Sequence, residues 1–214
     1  MDQTRAVLLG DAALLIPFLR QRLATLHIPA VEEGTDAPVP LTASQAGARH
    51  AAVLLPLYAV AGHPHLLFTR RTTTLSSHAG QISFPGGRRD ADDPSNVATA
   101  LRETREELAL DPACVEVLGE LPAVFTVVSN NLVRPVVGWL PNGLPVLRPN
   151  PAEVAAVIEA PLSALADPAI FHDELWQRGG VARIVRFYDL GPNRIWGLTA
   201  SILHTLLSLI AHDE

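Results

Sequence analysis

Lysine is absent from this chain. All 16 basic residues are arginine, and with 22 acidic residues the formal net charge is −6. A GC-rich genome, which favours arginine codons, accounts for this bias without any functional cause, although the planar guanidinium also suits phosphate groups. A net-acidic chain without a long basic run argues against nucleic acid as the main partner. If the substrate is an anion, the chain needs a local arginine patch or a bound cation.

Cysteine and long apolar runs are also scarce. The one cysteine, Cys114, cannot form an intramolecular disulfide, which fits a reducing compartment. Its place beside the strand-like residues 115–118 favours a buried structural thiol over a nucleophile. The sequence has no stretch of about 20 apolar residues and no basic leader followed by an apolar stretch. These absences predict a cytoplasmic protein that is neither exported nor inserted into a membrane.

Length and composition predict one main globular domain. A single hydrophobic core can serve a chain of up to roughly 250 residues, and 48% of the 214 residues are apolar. Residues 11–26 have apolar side chains at helical spacing, with Asp11 placed to cap the helix, and residues 29–40 are typical of a linker. We therefore predict an N-terminal helix and linker over residues 1–45 and the main domain over residues 46–214.

Strands are predicted on both sides of a central helix. That helix spans residues 94–108, and a C-terminal helix spans residues 198–211. The predicted strands are apolar segments bounded by turn residues, and they cover residues 51–60, 65–70, 81–84, 115–121, 132–140 and 181–188. This order favours an α/β sandwich with a mixed central sheet.

The central helix has three acidic residues on one side. Residues at i, i+3 and i+4 share a helix face, so Glu103, Glu106 and Glu107 fall within an arc of about 100°. An apolar stripe centred about 140° away is suited to packing on the core. Its members are Val97, Leu101, Thr104 and Leu108. The pattern predicts a helix with a buried stripe and a separate cluster of carboxylates.

Two interpretations of this acidic cluster remain open on the helix alone. It is either an exposed face neutralised by Arg102, Arg105 and solvent, or a site for a divalent cation, since hard oxygen ligands are those that Mg²⁺ prefers. The preceding Pro85-Gly86-Gly87 lets backbone approach a ligand closely, and a carbonyl there can serve as a neutral ligand. Asp93-Pro94 is typical of an N-cap followed by proline at the first helical position. This order of corner, capped helix and acidic face favours the cation site.

These residues resemble the Nudix box. In that pattern a glycine, five residues, a first glutamate and seven further residues precede Arg-Glu-apolar-x-Glu-Glu-x-Gly-apolar. Here Gly87 begins the box and residues 102–110 end it. The Gly87-to-Arg102 spacing is one residue longer than the general pattern, Asp92 or Asp93 replaces the first glutamate, and Ala109 replaces the late glycine. The resemblance implies a Nudix-type α/β/α sandwich and a divalent-metal-dependent hydrolase.

Residues 75–87 are similar to the segment before the box in Nudix coenzyme A pyrophosphatases, and residues 195–200 to the closing motif of that branch. The implied reaction is hydrolysis of coenzyme A to 3′,5′-ADP and 4′-phosphopantetheine. The alternatives are another Nudix substrate, such as ADP-ribose or NADH, and a catalytically silent nucleotide-binding module. The sequence does not decide whether free or acylated coenzyme A is the preferred substrate. It also leaves open the choice between Mg²⁺ and Mn²⁺ and whether the chain forms a homodimer.

The resemblance also implies roles for individual residues. Glu103 and Glu107, with Glu106 as a further ligand and the Gly87 carbonyl as a neutral one, are expected to hold Mg²⁺ or Mn²⁺, while Arg102 orients these acids. The general base is either Glu153, in a loop beyond the box, or Glu106 or Glu107 acting directly. Residues expected to contact the phosphates of the substrate, or to shape the loop around them, are Arg70, Arg71, His78, Arg88 and Arg89.

Overall fold

A mixed eight-stranded sheet forms the centre of the protein. The computed structural model describes residues 3–26, 47–73, 80–126, 130–178 and 180–211. The strands are β1 (Arg49–Val60), β2 (His63–Arg71), β3 (Ile82–Ser83), β4 (Gly86–Arg88), β5 (Glu116–Glu120), β6 (Val124–Thr126), β7 (Asn131–Trp139), β8 (Val154–Pro161), β9 (Phe171–Arg178), β10 (Val181–Leu190) and β11 (Asn193–Trp196). The helices are α1 (Gln3–Gly10), α2 (Ala12–Thr25), α3 (Asn96–Leu108), α4 (Leu162–Leu165) and α5 (Leu198–Ala211).

The sheet runs β3-β2-β1-β7-β5, with β4 paired to β1, β6 to β7 and β8 to β2. The β1–β7 pair is parallel and the other pairs are antiparallel, so the sheet is mixed as predicted. Strands β9, β10 and β11 form a second, antiparallel sheet. The β1–β2 connection is a two-residue turn in which Ala61 and Gly62 have φ of +51° and +85°, as tight hairpins require.

Helices cover both faces of the central sheet because β1 is apolar on both sides. Residues 52, 54 and 58 belong to the apolar cluster under α3, and residues 51, 55 and 57 to the larger cluster shared with α1, α2 and α5. This alternation is the period-two pattern of a strand buried on both faces. The predicted α/β/α sandwich is therefore confirmed.

The N-terminal helices pack on the same core as the sheet. Asp11 accepts a hydrogen bond from the Ala13 N–H and caps α2, which confirms the predicted helix. Leu15, Leu19 and Leu23 of α2 are buried against the sheet. Helix α1 was not predicted, and the predicted linker, residues 29–40, lies outside the described residues. No helix in the described ranges is long and apolar enough to cross a bilayer.

The other predicted elements lie within a few residues of the observed ones, and α5 spans residues 198–211 as predicted. Five strands were missed, β4, β6, β8, β9 and β11. Cys114 is only partly buried, in a short 3₁₀ turn before β5, where it packs against the cluster under α3. The predicted buried thiol is therefore only partly buried, and it packs against the apolar cluster as a structural residue.

Candidate active site

The glycine corner between β3 and α3 lies directly against the central strand. The Leu54 N–H donates to the Pro85 carbonyl at 2.8 Å, and Gly86 pairs with Val53 in the β1–β4 ladder. Gly86 has a φ of +146°, and a Cβ there would lie 2.4 Å from the Ala52 carbonyl oxygen. Only glycine fits this position. The corner is thus fixed by β1, with its backbone next to α3.

Helix α3 begins at Asn96, because the Ser95 side chain accepts a hydrogen bond from the Ala98 N–H at 3.1 Å. The prediction that Asp93 caps the helix and Pro94 opens it is therefore wrong. At the other end, Ala109 adopts a left-handed conformation with φ of +56°, and its N–H donates to the Arg105 carbonyl. This is the position of the late glycine of the box, where glycine adopts that conformation at lower cost.

The three glutamates of α3 lie in three different environments. Their side chains are 18%, 57% and 4% exposed for Glu103, Glu106 and Glu107 respectively. Thr104 and Leu108 of the predicted apolar stripe are buried, but so is Glu107. The carboxylate cluster is therefore not fully separate from the buried part of the helix, because β4 packs on α3 and Glu107 is buried there.

The carboxylate of Glu107 is buried with only partial compensation for its charge. It accepts a hydrogen bond from the Gly86 N–H at 3.3 Å, and an Arg71 guanidinium nitrogen lies 3.8 Å away. Burial raises the pKa of Glu107 to about 7, and the charges of Glu153 and Glu103 add to the rise. A buried acid whose pKa is raised by burial and by neighbouring charges is typical of a functional site.

Arg102 connects the acids of α3 to the loop before it. Its Nε and one terminal nitrogen donate to the two carboxylate oxygens of Asp93 at 3.0 and 2.9 Å. The other terminal nitrogen donates to Glu103 at 3.0 Å and to Glu106 at 3.3 Å. Arg102 therefore positions two of the three glutamates. Of the two aspartates considered for the first acidic position of the box, Asp93 is buried and paired with Arg102, while Asp92 is exposed.

Glu153 lies close to Glu103 and Glu107, although it is almost 50 residues away in the sequence. Its charge contributes to raising the pKa of both, for which burial is the largest cause. Asn150 donates from its side chain to the Glu153 carboxylate at 3.3 Å and from its backbone N–H to the Glu107 carbonyl at 2.8 Å. Asn150 was missed from the sequence, where its place between two prolines was the available signal.

The arginines predicted to contact substrate differ in what they bind. Arg71 faces Glu107, whereas Arg70 donates to the side-chain oxygen of Asn193. Arg89 donates to the Asp93 carbonyl and so supports the loop before α3. Arg88 is exposed, and its carbonyl accepts from Arg102. His78 lies outside the described residues.

The donor set at the corner fits a hard divalent cation. No three acidic, histidine or cysteine side chains of the described ranges are gathered closely enough to hold an ion as they stand. The carboxylates of Glu103 and Glu107 provide oxygen donors at the corner. The charge of Glu107 is buried and only partly balanced by Arg71. A Cβ on Gly87 would fall 2.3 Å from the Glu103 carboxylate. The absence of a side chain at Gly87 therefore lets this carboxylate lie against the backbone of the corner. Oxygen ligands are those preferred by Mg²⁺.

Comparison with known proteins decides the family. A family model described as the NUDIX domain matches residues 48–175. A relative named "Uncharacterized Nudix hydrolase NudL", from Photorhabdus laumondii, is 49% identical over 158 residues, which cover 74% of this chain and 83% of the relative. The chain belongs to the Nudix family. A protein of the same name from Salmonella paratyphi B is 42% identical over 160 residues, which cover 74% of this chain and 81% of that relative.

The Nudix hydrolases generally use divalent cations such as Mg²⁺ or Mn²⁺ and act on nucleotide derivatives. A solved structure, the Nudix hydrolase RenU from M. smegmatis, aligns over 56% of this chain and 74% of its own, with 21% identity and a TM-score of 0.47. The family model and the relatives confirm the resemblance of the box to this family. The names of the relatives give no substrate.

The close contact between Gly87 and the Glu103 carboxylate can be tested by adding a side chain at Gly87. Gly87→Ala should lower kcat by at least about tenfold, because the new methyl group displaces the Glu103 carboxylate. The backbone at Gly87 does not require a positive φ, so the fold should survive. Gly10→Ala is the matched control, since nothing lies within 4 Å of a Cβ there. Equal turnover of the two variants in a steady-state assay would reject a role for this contact.

Proposed function

We propose that this Nudix hydrolase cleaves the pyrophosphate bond of coenzyme A, or of a derivative, to give 3′,5′-ADP and 4′-phosphopantetheine. The main support for the chemistry is the buried carboxylate of Glu107 at the glycine corner, with Glu103 and Glu153 close by. The support for the substrate is the similarity of residues 75–87 and 195–200 to coenzyme A pyrophosphatases.

In this proposal Glu103, Glu107 and the Gly87 carbonyl would hold Mg²⁺ or Mn²⁺, with Glu106 as a further ligand. Such an ion would supply positive charge to the diphosphate. Arg102 keeps Glu103 and Glu106 in place. Arg71, next to Glu107, binds a phosphate oxygen and balances charge on the leaving phosphate.

Glu153 is the general base in this mechanism. Its carboxylate accepts a proton from water while the water oxygen forms a bond to phosphorus and the bridging P–O bond breaks. The leaving phosphate ester keeps the electron pair of the broken bond. Asn150 orients the Glu153 carboxylate through its side-chain amide. Glu106 and Glu107 are the competing candidates for the base.

Glu153→Gln separates these candidates. If Glu153 is the base, kcat should fall by about 10²–10³-fold with little change in KM. The control is Glu116→Gln, which removes a carboxylate from a surface ion pair with Arg20. A kcat within about threefold of wild type would assign the proton transfer to another residue.

A product assay tests the substrate. With Mg²⁺ or Mn²⁺ present, coenzyme A should be cleaved with a higher kcat/KM than ADP-ribose or NADH, and chromatography should show 3′,5′-ADP. If coenzyme A is the slowest of the three by a wide margin, the chain is a Nudix pyrophosphatase for another nucleotide derivative. No cleavage of any of the three would favour the silent nucleotide-binding module.

A further inference from the structure

A cavity lies on the face of the sheet opposite α3. It encloses about 420 Å³ between α1, the segment after α4, β9, β10 and α5. Leu165, Tyr188 and Leu207 line it and belong to the apolar cluster shared with α1 and α2, whereas α3 packs on the other cluster. No residue of the candidate active site lines this cavity. Its volume is within the range of small-molecule sites.

A positively charged side chain lines the cavity. Arg5 lines it, and the Arg5 Nε is buried with no hydrogen-bond partner among the described residues. Asp167 also lines the cavity, but its carboxylate accepts a hydrogen bond from the Ala169 N–H at 2.9 Å. The neighbouring Arg186 has its own acid, Asp173, at 4.0 Å. A buried guanidinium nitrogen without a hydrogen-bond partner is costly, and a bound anion would offset that cost.

An aromatic wall faces the same space. The rings of Phe171 and His204 stack with centroids 5.0 Å apart, and His204 Nδ1 lies 3.1 Å from the Tyr188 hydroxyl. Burial lowers the pKa of His204 and raises that of Tyr188, so the phenol stays protonated and donates to a neutral imidazole. The imidazole then keeps its Nε2–H as a second donor besides Arg5.

We propose that this cavity is a second ligand site, which binds a small organic anion. Arg5 pairs with a carboxylate or phosphate monoester group, and Phe171, His204 and Leu207 contact a flat or aliphatic body. The arrangement matches the usual composition of ligand sites, in which apolar walls surround a few polar groups that fix the orientation. The site is independent of the hydrolytic reaction.

Titration of the full chain, followed by NMR of the backbone amides and the histidine rings, tests the site with defined probes. Benzoate and phenyl phosphate carry the two anionic groups on the same ring, and benzamide is the neutral control. Saturable shifts at His204 and Phe171 with the anions, and none with benzamide, are expected. The anion that binds with the lower Kd shows whether the site prefers a carboxylate or a phosphate monoester.

Arg5→Gln should weaken binding of the anions at least about tenfold, while Arg148→Gln, which removes an exposed arginine elsewhere, should not. Ala211→Phe, at the cavity edge, should abolish binding by filling the space, and it decides the matter if Arg5→Gln does not fold. The proposal is overturned by an absence of saturable shifts, by unchanged affinity in the folded variants, or by shifts confined to the Gly86–Arg88 segment, where a probe in the active site would act.

Discussion

Replacing Glu107 by glutamine is expected to lower kcat by about three orders of magnitude. The carboxylate of Glu107 is the most buried of the three on α3 and lies at the glycine corner. Glutamine has nearly the same shape, but its neutral amide is a much weaker ligand for a divalent cation. The loss should therefore come from cation binding and from charge neutralisation in the transition state. Steady-state hydrolysis at saturating substrate measures it.

The fold of Glu107→Gln should stay intact. The side-chain oxygen can still accept from the Gly86 N–H, and the substitution removes a buried charge whose nearest cation is 3.8 Å away. Replacing such a charge by a neutral group of the same size is often neutral or stabilising. Thermal unfolding followed by circular dichroism should thus give a Tm at or above that of wild type. Glu116→Gln is the surface control.

The change in Tm on adding a cation tests the metal role without measuring turnover. A ligand that binds only the folded state adds about 2.7 kcal/mol to the unfolding free energy at 100 times its Kd. Mn²⁺ should therefore raise the Tm of wild type and of Glu116→Gln, but not that of Glu107→Gln. Unchanged turnover in Glu107→Gln, or an equal Tm rise in all three proteins, would reject the metal role of this residue.

The sequence predicted the parts of the site that local physics controls. The glycine corner, the helical spacing of Glu103 and Glu107 and the strong central strands follow from backbone freedom and apolar periodicity. Helical spacing gives the direction of each side chain but not what packs against it. The burial of Glu107 depends on β4 crossing over α3, a contact between segments that no local pattern contains.

The missed features have similar physical reasons. Strand β9 lacks a clear alternation of apolar and polar residues because it is an edge strand of the second sheet. Its apolar residues Leu175 and Trp176, on opposite faces, are 67% and 44% exposed. Asp93 looked like an N-cap because Asp before Pro favours one, but its carboxylate is occupied by Arg102, and Ser95 caps the helix. Tertiary charge pairing thus overrode a local preference.

The pairing of Asp93 with Arg102 predicts the largest change in stability. Asp93 is 8% exposed and accepts from Arg102, from the Thr99 hydroxyl and from the Asp90 N–H. Asp93→Ala leaves a partly buried guanidinium without this partner. Removing one member of a buried pair costs about 3–5 kcal/mol, and because the Arg102 side chain is 26% exposed we expect about 2–4 kcal/mol. Urea unfolding at pH 7 measures it.

Asp92→Ala is the matched control. It removes the same type of side chain at the adjacent position, where that side chain is exposed. It should change the unfolding free energy by no more than about 0.5 kcal/mol. Turnover should fall in Asp93→Ala alone, since Arg102 also binds Glu103 and Glu106. If both variants unfold at the same urea concentration, the Asp93–Arg102 pair does not stabilise the fold.

The pH dependence of this difference gives a further check on Asp93. Hydrogen bonds from Arg102 hold the pKa of Asp93 well below its ordinary value of 3.8. The carboxylate therefore stabilises the folded state fully above about pH 4, and its contribution is lost as the pH falls below that value towards the folded-state pKa. The gap in unfolding free energy between wild type and Asp93→Ala should be constant from pH 5 to 7 and should narrow below pH 4. A gap that instead widened towards acid would mean that the charge of Asp93 destabilises the folded protein.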